Sequence, residues 1–368
     1  MKLADIILQF ETDFLRQYGG SLLPSQRAAL AAFKACRNAL SAKMAVQCND
    51  CQTTEYVPHS CGHRNCPHCQ AHESQQWITR QQAKQLPCDY FMITFTLPKE
   101  WRPMAWGHQK IVYDLIIKAA WETVNTFSHN DKKLQGNAGA VTVLHTHKRQ
   151  LDYHPHVHLV MPAGAINHKE KLWRVKKSKY LFDHTALAKV FRAKMHEGVK
   201  QAGLSIPTGA PGKWVVDCKN VGRGDKALVY LGRYLYRGVI QEKDILACKN
   251  KMVTFRYRDS KTGRCEIRTV SGVEFLRLIL QHTLPKGFRR ARNHGFLHPN
   301  SKRTIALLQL KLRLVLTKYV PAPRPVLRCA CCGGAKTVVA RRIKTPQATK
   351  KTGVDPMRDA TVPPGMGM

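Results

Sequence analysis

The chain has 368 residues, of which 60 are Lys or Arg and 24 are Asp or Glu, a net charge of +36. Hydrophobic residues make up 43%, enough for a sizeable core, which excludes global disorder. Self-repulsion from so large a basic excess destabilises a compact state unless a polyanion offsets it. Nucleic acid, whose phosphates release counterions to Lys and Arg, is the natural partner.

Residues 1–20 carry Asp5, Glu11 and Asp13 and lack a small-residue cleavage site, so the start reads as an amphipathic helix and not a signal peptide. The longest apolar runs, such as 111–120, contain charges and fall short of the about 20 residues that a membrane span needs. The 13 cysteines, several in C-x-x-C pairs, point to metal ligands in a reducing cytoplasm. Three regions are expected: 1–85, an N-terminal helix with a zinc module; 86–287, mixed strands and helices; and 288–368, strongly basic with a Cys cluster and a tail. Residues 341–368, rich in Lys, Pro, Gly and Met, are expected to be disordered.

In the first region, Cys48-x-x-Cys51 and Cys66-x-x-Cys69 have the spacing of one structural tetrahedral Zn2+ site. Four cysteines leave no open position, so such a zinc is structural. Cys36, Cys61 and a histidine of the same region offer a second zinc site.

In the second region, residues 90–97 alternate and are rich in β-formers, which predicts a strand. A helix follows at 110–127, then strands at 140–147 and 156–161 able to pair antiparallel, a helix at 184–202 and a short strand at 214–218. A helix at 225–237 comes next, then a hairpin of 252–257 with 266–270. The capping box Ser271-Gly272-Val273-Glu274 opens a helix to 282. This mixture predicts an α+β fold, an antiparallel sheet with helices packed on it.

Two of these elements carry chemistry. In Tyr153-His154-Pro155-His156-Val157-His158, strand alternation turns His154, His156 and His158 to one face while Val157, Leu159 and Met161 face the core. Imidazoles two residues apart on a strand can ligate one divalent ion and leave its other positions open to a phosphoryl oxygen. The same pattern also fits the histidine-triad nucleotide hydrolases. On the helix 225–237, Tyr230 and Tyr234 stand at i and i+4 on one face, with Lys226 and Arg237 beside them and Leu228, Leu231 and Leu235 opposite. A tyrosine hydroxyl, pKa about 10, needs assistance from a metal or nearby cations to act as a nucleophile. Lys226, Arg233 and Arg237 are expected DNA contacts.

In the third region, Lys286, Arg289, Arg290, Arg292, Lys302 and Arg303 alternate with Phe288 and Phe296, a mix suited to single-stranded DNA; Arg289 and Arg290 are the leading candidates. Cys329-Ala330-Cys331-Cys332-Gly333-Gly334 looks like half a zinc knuckle, with no second half nearby in the sequence.

Four segments occur in an order that resembles the two-tyrosine HUH transposases of rolling-circle insertion sequences, which carry an N-terminal transposase zinc-binding domain. They are Ser60-Cys61-Gly62-His63-Arg64-Asn65-Cys66-Pro67-His68-Cys69-Gln70, His154-Pro155-His156-Val157-His158, Tyr230-Leu231-Gly232-Arg233-Tyr234 and Leu284-Pro285-Lys286-Gly287-Phe288. Leu144-His145-Thr146 also looks like that family. The resemblance implies an HUH endonuclease-like catalytic domain preceded by a small zinc-binding module. It implies that His156 and His158 bind Mg2+ or Mn2+, with His145 or His154 as third ligand, and that the pair lies on a central strand beside the tyrosine helix. It further implies that Tyr230 and Tyr234 cleave single-stranded transposon ends, leaving a 5′-phosphotyrosine and a free 3′-OH. A plasmid replication initiator or relaxase would use the same chemistry; a non-enzymatic zinc protein that binds DNA is a further alternative. Gly222-Arg223-Gly224-Asp225-Lys226 lacks P-loop spacing, so unwinding is left to host replication or helicase machinery at the bacterial nucleoid.

Overall fold

The computed structural model describes residues 2–66, 68–236, 239–259, 262–314, 320–321 and 323–343. Helices α1 (Leu3–Tyr18) and α2 (Pro24–Ala35) open the chain, followed by strands β1 (Lys43–Cys48) and β2 (Thr54–Pro58) and helix α3 (Ala71–Gln82). Next come β3 (Tyr90–Thr96), α4 (Arg102–Gly107), α5 (Gln109–Asn130), β4 (Gly139–His147), β5 (Tyr153–Pro162), β6 (Gly164–Asn167), β7 (Leu172–Val175), α6 (His184–Gln201) and β8 (Val216–Asn220). The chain continues through α7 (Asp225–Tyr236), β9 (Ile245–Lys249), β10 (Met252–Arg258), β11 (Cys265–Ser271) and α8 (Gly272–Leu280). It closes with β12 (Ala291–Gly295), α9 (Lys302–Lys311), β13 (Leu327–Arg328) and β14 (Ala335–Ile343). No described helix is long and apolar enough to cross a membrane.

Two compact units emerge, and they do not follow the linear division into 1–85, 86–287 and 288–368. One contains Met1–Leu40 and Ser60–Pro325; the other contains Ser41–His59 and Val326–Met368. The division differs because strand pairing, not chain order, decides what folds together: β1 takes β14 as a neighbour in the sheet β13-β14-β1-β2. Of residues 341–368, expected to be disordered, 341–343 instead end strand β14, and 344–368 lie outside the described residues.

The larger unit is built on an antiparallel sheet of order β12-β4-β5-β3-β8, with β5 at its centre, as the α+β reading expects. Alternation divides each strand between two faces. Phe91, Ile93, Phe95, Leu144, Val157, Leu159 and Met161 point to one face, where they meet Ile116, Ile117 and Ala120 of α5 and Phe191 of α6. Each large side chain buried there contributes roughly 1.5–3 kcal/mol. On the opposite face, Val141, Val143 and Val160 pack against Ala227, Leu228, Leu231 and Leu235 of α7 and Trp77 and Ile78 of α3. Helix α7 thus lies over the face to which His145, His156 and His158 belong. Gly232 lets α3 approach α7: a Cβ there would stand 2.3 Å from Ile78 Cγ1.

A separate core holds the N-terminal helices. Ile6, Phe10 and Phe14 of α1 and Leu30 and Phe33 of α2 pack with Val253 and Phe255 of β10 and Phe275 and Ile279 of α8. The segment 291–295, read from sequence as part of a C-terminal DNA-binding region, is an edge strand of the five-stranded sheet, pairing Ala291–Gly295 with Gly139–Val143. Its sequence, Ala-Arg-Asn-His-Gly, lacks β-branched residues, so backbone pairing to β4 overrides a weak local preference.

Candidate functional site

The antiparallel register sets His145 of β4 opposite His156 of β5, and Val143 opposite His158. Side chains opposite each other share a face, so His145 joins the β5 pair. Ligand nitrogens of His145, His156 and His158 lie within 4.8 Å of one another. His154, the other candidate, is not in this group; its Nδ1 accepts from Arg102 at 2.8 Å. The reason is a register shift between His145 and His147, where β4 advances two residues while β5 goes back three, from His156 to Tyr153. This bulge accommodates Pro155, which has no N–H for the ladder; the His154 ring stays 5.2 Å from that of His156 but lies outside the three-histidine group.

The imidazoles are held in the form a cation needs. His156 Nδ1 donates to the His154 carbonyl at 2.7 Å, which leaves Nε2 as the lone-pair nitrogen. His158 Nδ1 lies 2.9 Å from Thr94 Oγ1, on the neighbouring strand. His145 Nε2 is buried without a hydrogen-bond partner among the described residues, an orphan that a cation would satisfy. Burial lowers the pKa of His156 to about 4 and, with the neighbouring His156, that of His158 to about 3. Burial, reinforced by His158 and His156, holds His145 well below the usual range. All three rings are therefore neutral at physiological pH, and the donor set fits a divalent ion.

Both tyrosines of α7 meet this cluster. The Tyr234 ring stacks on His145 at 3.2 Å between centroids and 9° between planes, and the Tyr230 ring lies 5.9 Å from both His145 and His158. Tyr230 is 40% exposed, which opens the cluster to a ligand from solvent. Burial raises the pKa of both phenols, opposed by Arg149 at Tyr230 and by Arg290 at Tyr234. The Arg290 guanidinium lies 5.8 Å from the Tyr234 ring centre, its Nε has no hydrogen-bond partner, and no carboxylate pairs with it among the described residues. A half-buried cation without a counter-anion, beside the Tyr234 phenol and the His145 imidazole, suits a phosphate. Arg64, from the Cys61–Cys69 segment, donates to the carbonyls of Leu284, Pro285 and Phe288 and so fixes the loop that delivers Arg290.

The other expected DNA contacts are spread more widely. Lys226 and Arg233 are exposed on α7, whereas Arg237 lies outside the described residues. Arg289 is exposed and lines a cavity of about 930 Å³ with Arg80, Lys84, Lys110, Arg292 and Lys302. Sequence reading missed Thr94, Arg149 and Arg64 as parts of the site. Thr94 becomes visible only through strand register, and Arg64 through its carbonyl partners.

The cysteines correct the expected zinc site. Cys48 and Cys51 do not share a cluster with Cys66 and Cys69; one group is Cys36, Cys61, Cys66 and Cys69, the other Cys48, Cys51, Cys329 and Cys332. In the first group Cys36 lies 3.6 Å from Cys66 and 3.4 Å from Cys69, so cysteine takes the place in which a histidine was expected beside Cys36 and Cys61. The two C-x-x-C pairs look matched in sequence, but they belong to different compact units.

Residues 139–304 match the family described as a putative transposase, and residues 6–97 match the transposase zinc-binding domain. The chain is 31% identical over 345 residues to the putative transposase y4qJ of Sinorhizobium fredii, a span covering 88% of this chain and 86% of that protein. It is 26% identical over 324 residues to the transposase for insertion sequence element IS801 of Pseudomonas savastanoi pv. phaseolicola, covering 79% and 77%. Among solved structures it is similar to TrwC complexed with a 27-mer DNA comprising the recognition hairpin and the cleavage site. That match has 15% identity over 61% of this chain and 75% of that one, with a TM-score of 0.27.

Proposed function

Because the chain belongs to the family of these insertion-sequence transposases, with their zinc-binding domain, we propose that it cleaves and rejoins single-stranded DNA at the ends of its element, with Tyr230 and Tyr234 as nucleophiles. The observation that carries this reading is the convergence of both phenols on His145, His156 and His158. Those imidazoles would hold Mg2+ or Mn2+, which when bound polarises a phosphoryl oxygen.

The chain's own groups do the rest. The tyrosine oxygen attacks the phosphorus of the scissile phosphodiester and loses its proton, the bond from phosphorus to the 3′-oxygen breaks, and that oxygen leaves as a 3′-OH once protonated. The product is a 5′-phosphotyrosine. It keeps a phosphodiester's bond energy, so a free 3′-OH can later displace the tyrosine without ATP. Two tyrosines on one helix face allow two such transfers in succession. Arg290 and Arg149 place positive charge beside the phenols, which favours the developing phenolate and the phosphate oxygens. The strand approaches over the cations around Arg289, whose contacts go to phosphates and set no sequence. Unwinding falls to host replication machinery at the nucleoid. In a cleavage assay on end-derived oligonucleotides, His156→Ala abolishes cutting and leaves binding intact; undiminished cutting would remove His156 from the reaction.

A further inference from the structure

The smaller unit holds a feature that the zinc-binding match at residues 6–97 does not contain. Cys48 and Cys51 close on Cys329 and Cys332, a partnership that joins residues 278 apart at Cys51 and Cys329. Cys48 Sγ lies 3.4 Å from Cys332 Sγ, and Cys51 Sγ 3.7 Å from Cys329 Sγ. A tetrahedron of thiolates around zinc, with Zn–S about 2.3 Å, has edges of about 3.8 Å. All four sulfurs fall within 4.8 Å of one another, so they occupy the corners of such a site.

The backbone of the two pairs is built the same way. Cys48 N–H donates to the Thr53 carbonyl at 3.0 Å, and Cys329 N–H to the Gly334 carbonyl at 2.9 Å, the same offset in each loop. The residue after the second cysteine is left-handed in both, Gln52 at φ 58° and Gly333 at φ 73°. Beside the first of these turns, the Thr53 hydroxyl lies 3.2 Å from the Cys51 sulfur. Gly334 brings the backbone close to the knuckle: a Cβ there would stand 3.2 Å from Cys332 Sγ.

Packing supplies an independent reason for a metal. The buried side chains among the described residues of this unit are Ser41, Ala45, Val46, Cys48, Cys329 and Lys336. So few apolar groups do not hold a four-stranded sheet of this size, and small domains in that position use a metal or disulfides. We infer that Cys48, Cys51, Cys329 and Cys332 bind a structural zinc ion of their own, which locks Ser41–His59 and the segment from Val326 into one discontinuous ribbon. This zinc is distinct from any ion at Cys36, Cys61, Cys66 and Cys69. Cys331 is exposed and stands outside the ligand group, so it plays no part.

The test is the zinc content of the purified full chain by elemental analysis, read as a difference from wild type. Cys332→Ser loses one zinc per chain, Cys66→Ser loses one, and Cys331→Ser loses none. Unchanged content in Cys332→Ser, or a Cys48–Cys332 or Cys51–Cys329 disulfide found by peptide mass analysis, would overturn the inference. If Cys332→Ser is insoluble, the wild-type chain titrated with Co2+ gives the answer. Thiolate-to-cobalt absorption saturates at two equivalents if both groups bind and at one if the inference fails. Neither readout depends on DNA cleavage, so a failure here leaves the tyrosine reading standing, and the reverse also holds.

Discussion

Replacing Thr94 with valine tests whether His158 is held as a metal ligand. Thr94 Oγ1 lies 2.9 Å from His158 Nδ1, and His158 is 8% exposed. Valine keeps the shape and removes the oxygen, leaving a buried Nδ1–H unpaired in the tautomer whose Nε2 binds metal. Such an orphan costs about 1–3 kcal/mol. At about 1.4 kcal/mol per factor of ten, that corresponds to Mn2+ binding weakened about 10- to 100-fold, the range typical of partners that orient a metal's histidines. Calorimetric titration with Mn2+ measures it directly, and single-strand cleavage against Mn2+ concentration shows whether excess metal restores the rate. His154→Ala is the control, because His154 faces Arg102 and stands outside the ligand group. Wild-type Mn2+ affinity in Thr94→Val, or a larger loss in His154→Ala, would refute the assignment.

Three further outcomes are expected. Gly232→Ala places a Cβ 2.3 Å from Ile78 Cγ1 and 3.0 Å from Trp77. Overpacking of about 1–3 kcal/mol exceeds the roughly 1 kcal/mol gained in helix propensity, so the urea midpoint falls; a rise would contradict the α3–α7 packing. His147 and His154 near 3 and His156 near 4 all titrate below the unfolded value of about 6.5, so the unfolded chain binds more protons between those limits. The stability they contribute is complete above about pH 6.5 and is lost as pH falls toward 4, by up to about 1.4 kcal/mol per pH unit for each histidine. Urea unfolding in Mg2+- and Mn2+-free buffer at several pH values checks this, and a flat profile down to about pH 5 would contradict it. Arg289→Ala with Lys302→Ala lowers the slope of log affinity against log salt for single-stranded DNA by about 1.4, at roughly 0.7 per phosphate contact. An unchanged slope in fluorescence anisotropy removes the cavity around Arg289 from the DNA path.

Much of the candidate site is legible in the sequence because its periods are local. The i and i+4 tyrosines and the alternating histidines each lie within one element, so 3.6- and 2-residue repeats locate them. His145 is different: it competes with His154 until the register of β4 on β5 and the bulge at Pro155 are known, and register is a long-range property. Zinc pairing fails for the same reason. Cys66-x-x-Cys69 is near Cys48-x-x-Cys51 in the chain, yet the matching half of the knuckle waits at Cys329 and Cys332. Strand β12 escapes because its polar residues resemble a DNA-binding stretch, and only its hydrogen bonds to β4 reveal a sheet edge.

The central claim is tested most directly by mapping a covalent adduct. The full chain is incubated with Mn2+ and single-stranded oligonucleotides from its element's ends, then digested and analysed by mass spectrometry. The account predicts a nucleotide attached through phosphate to Tyr230 or Tyr234, absent without metal and absent from the Tyr230→Phe, Tyr234→Phe double variant. Metal-dependent cleavage that persists in that variant, or a nucleotide attached to any other residue, would contradict it.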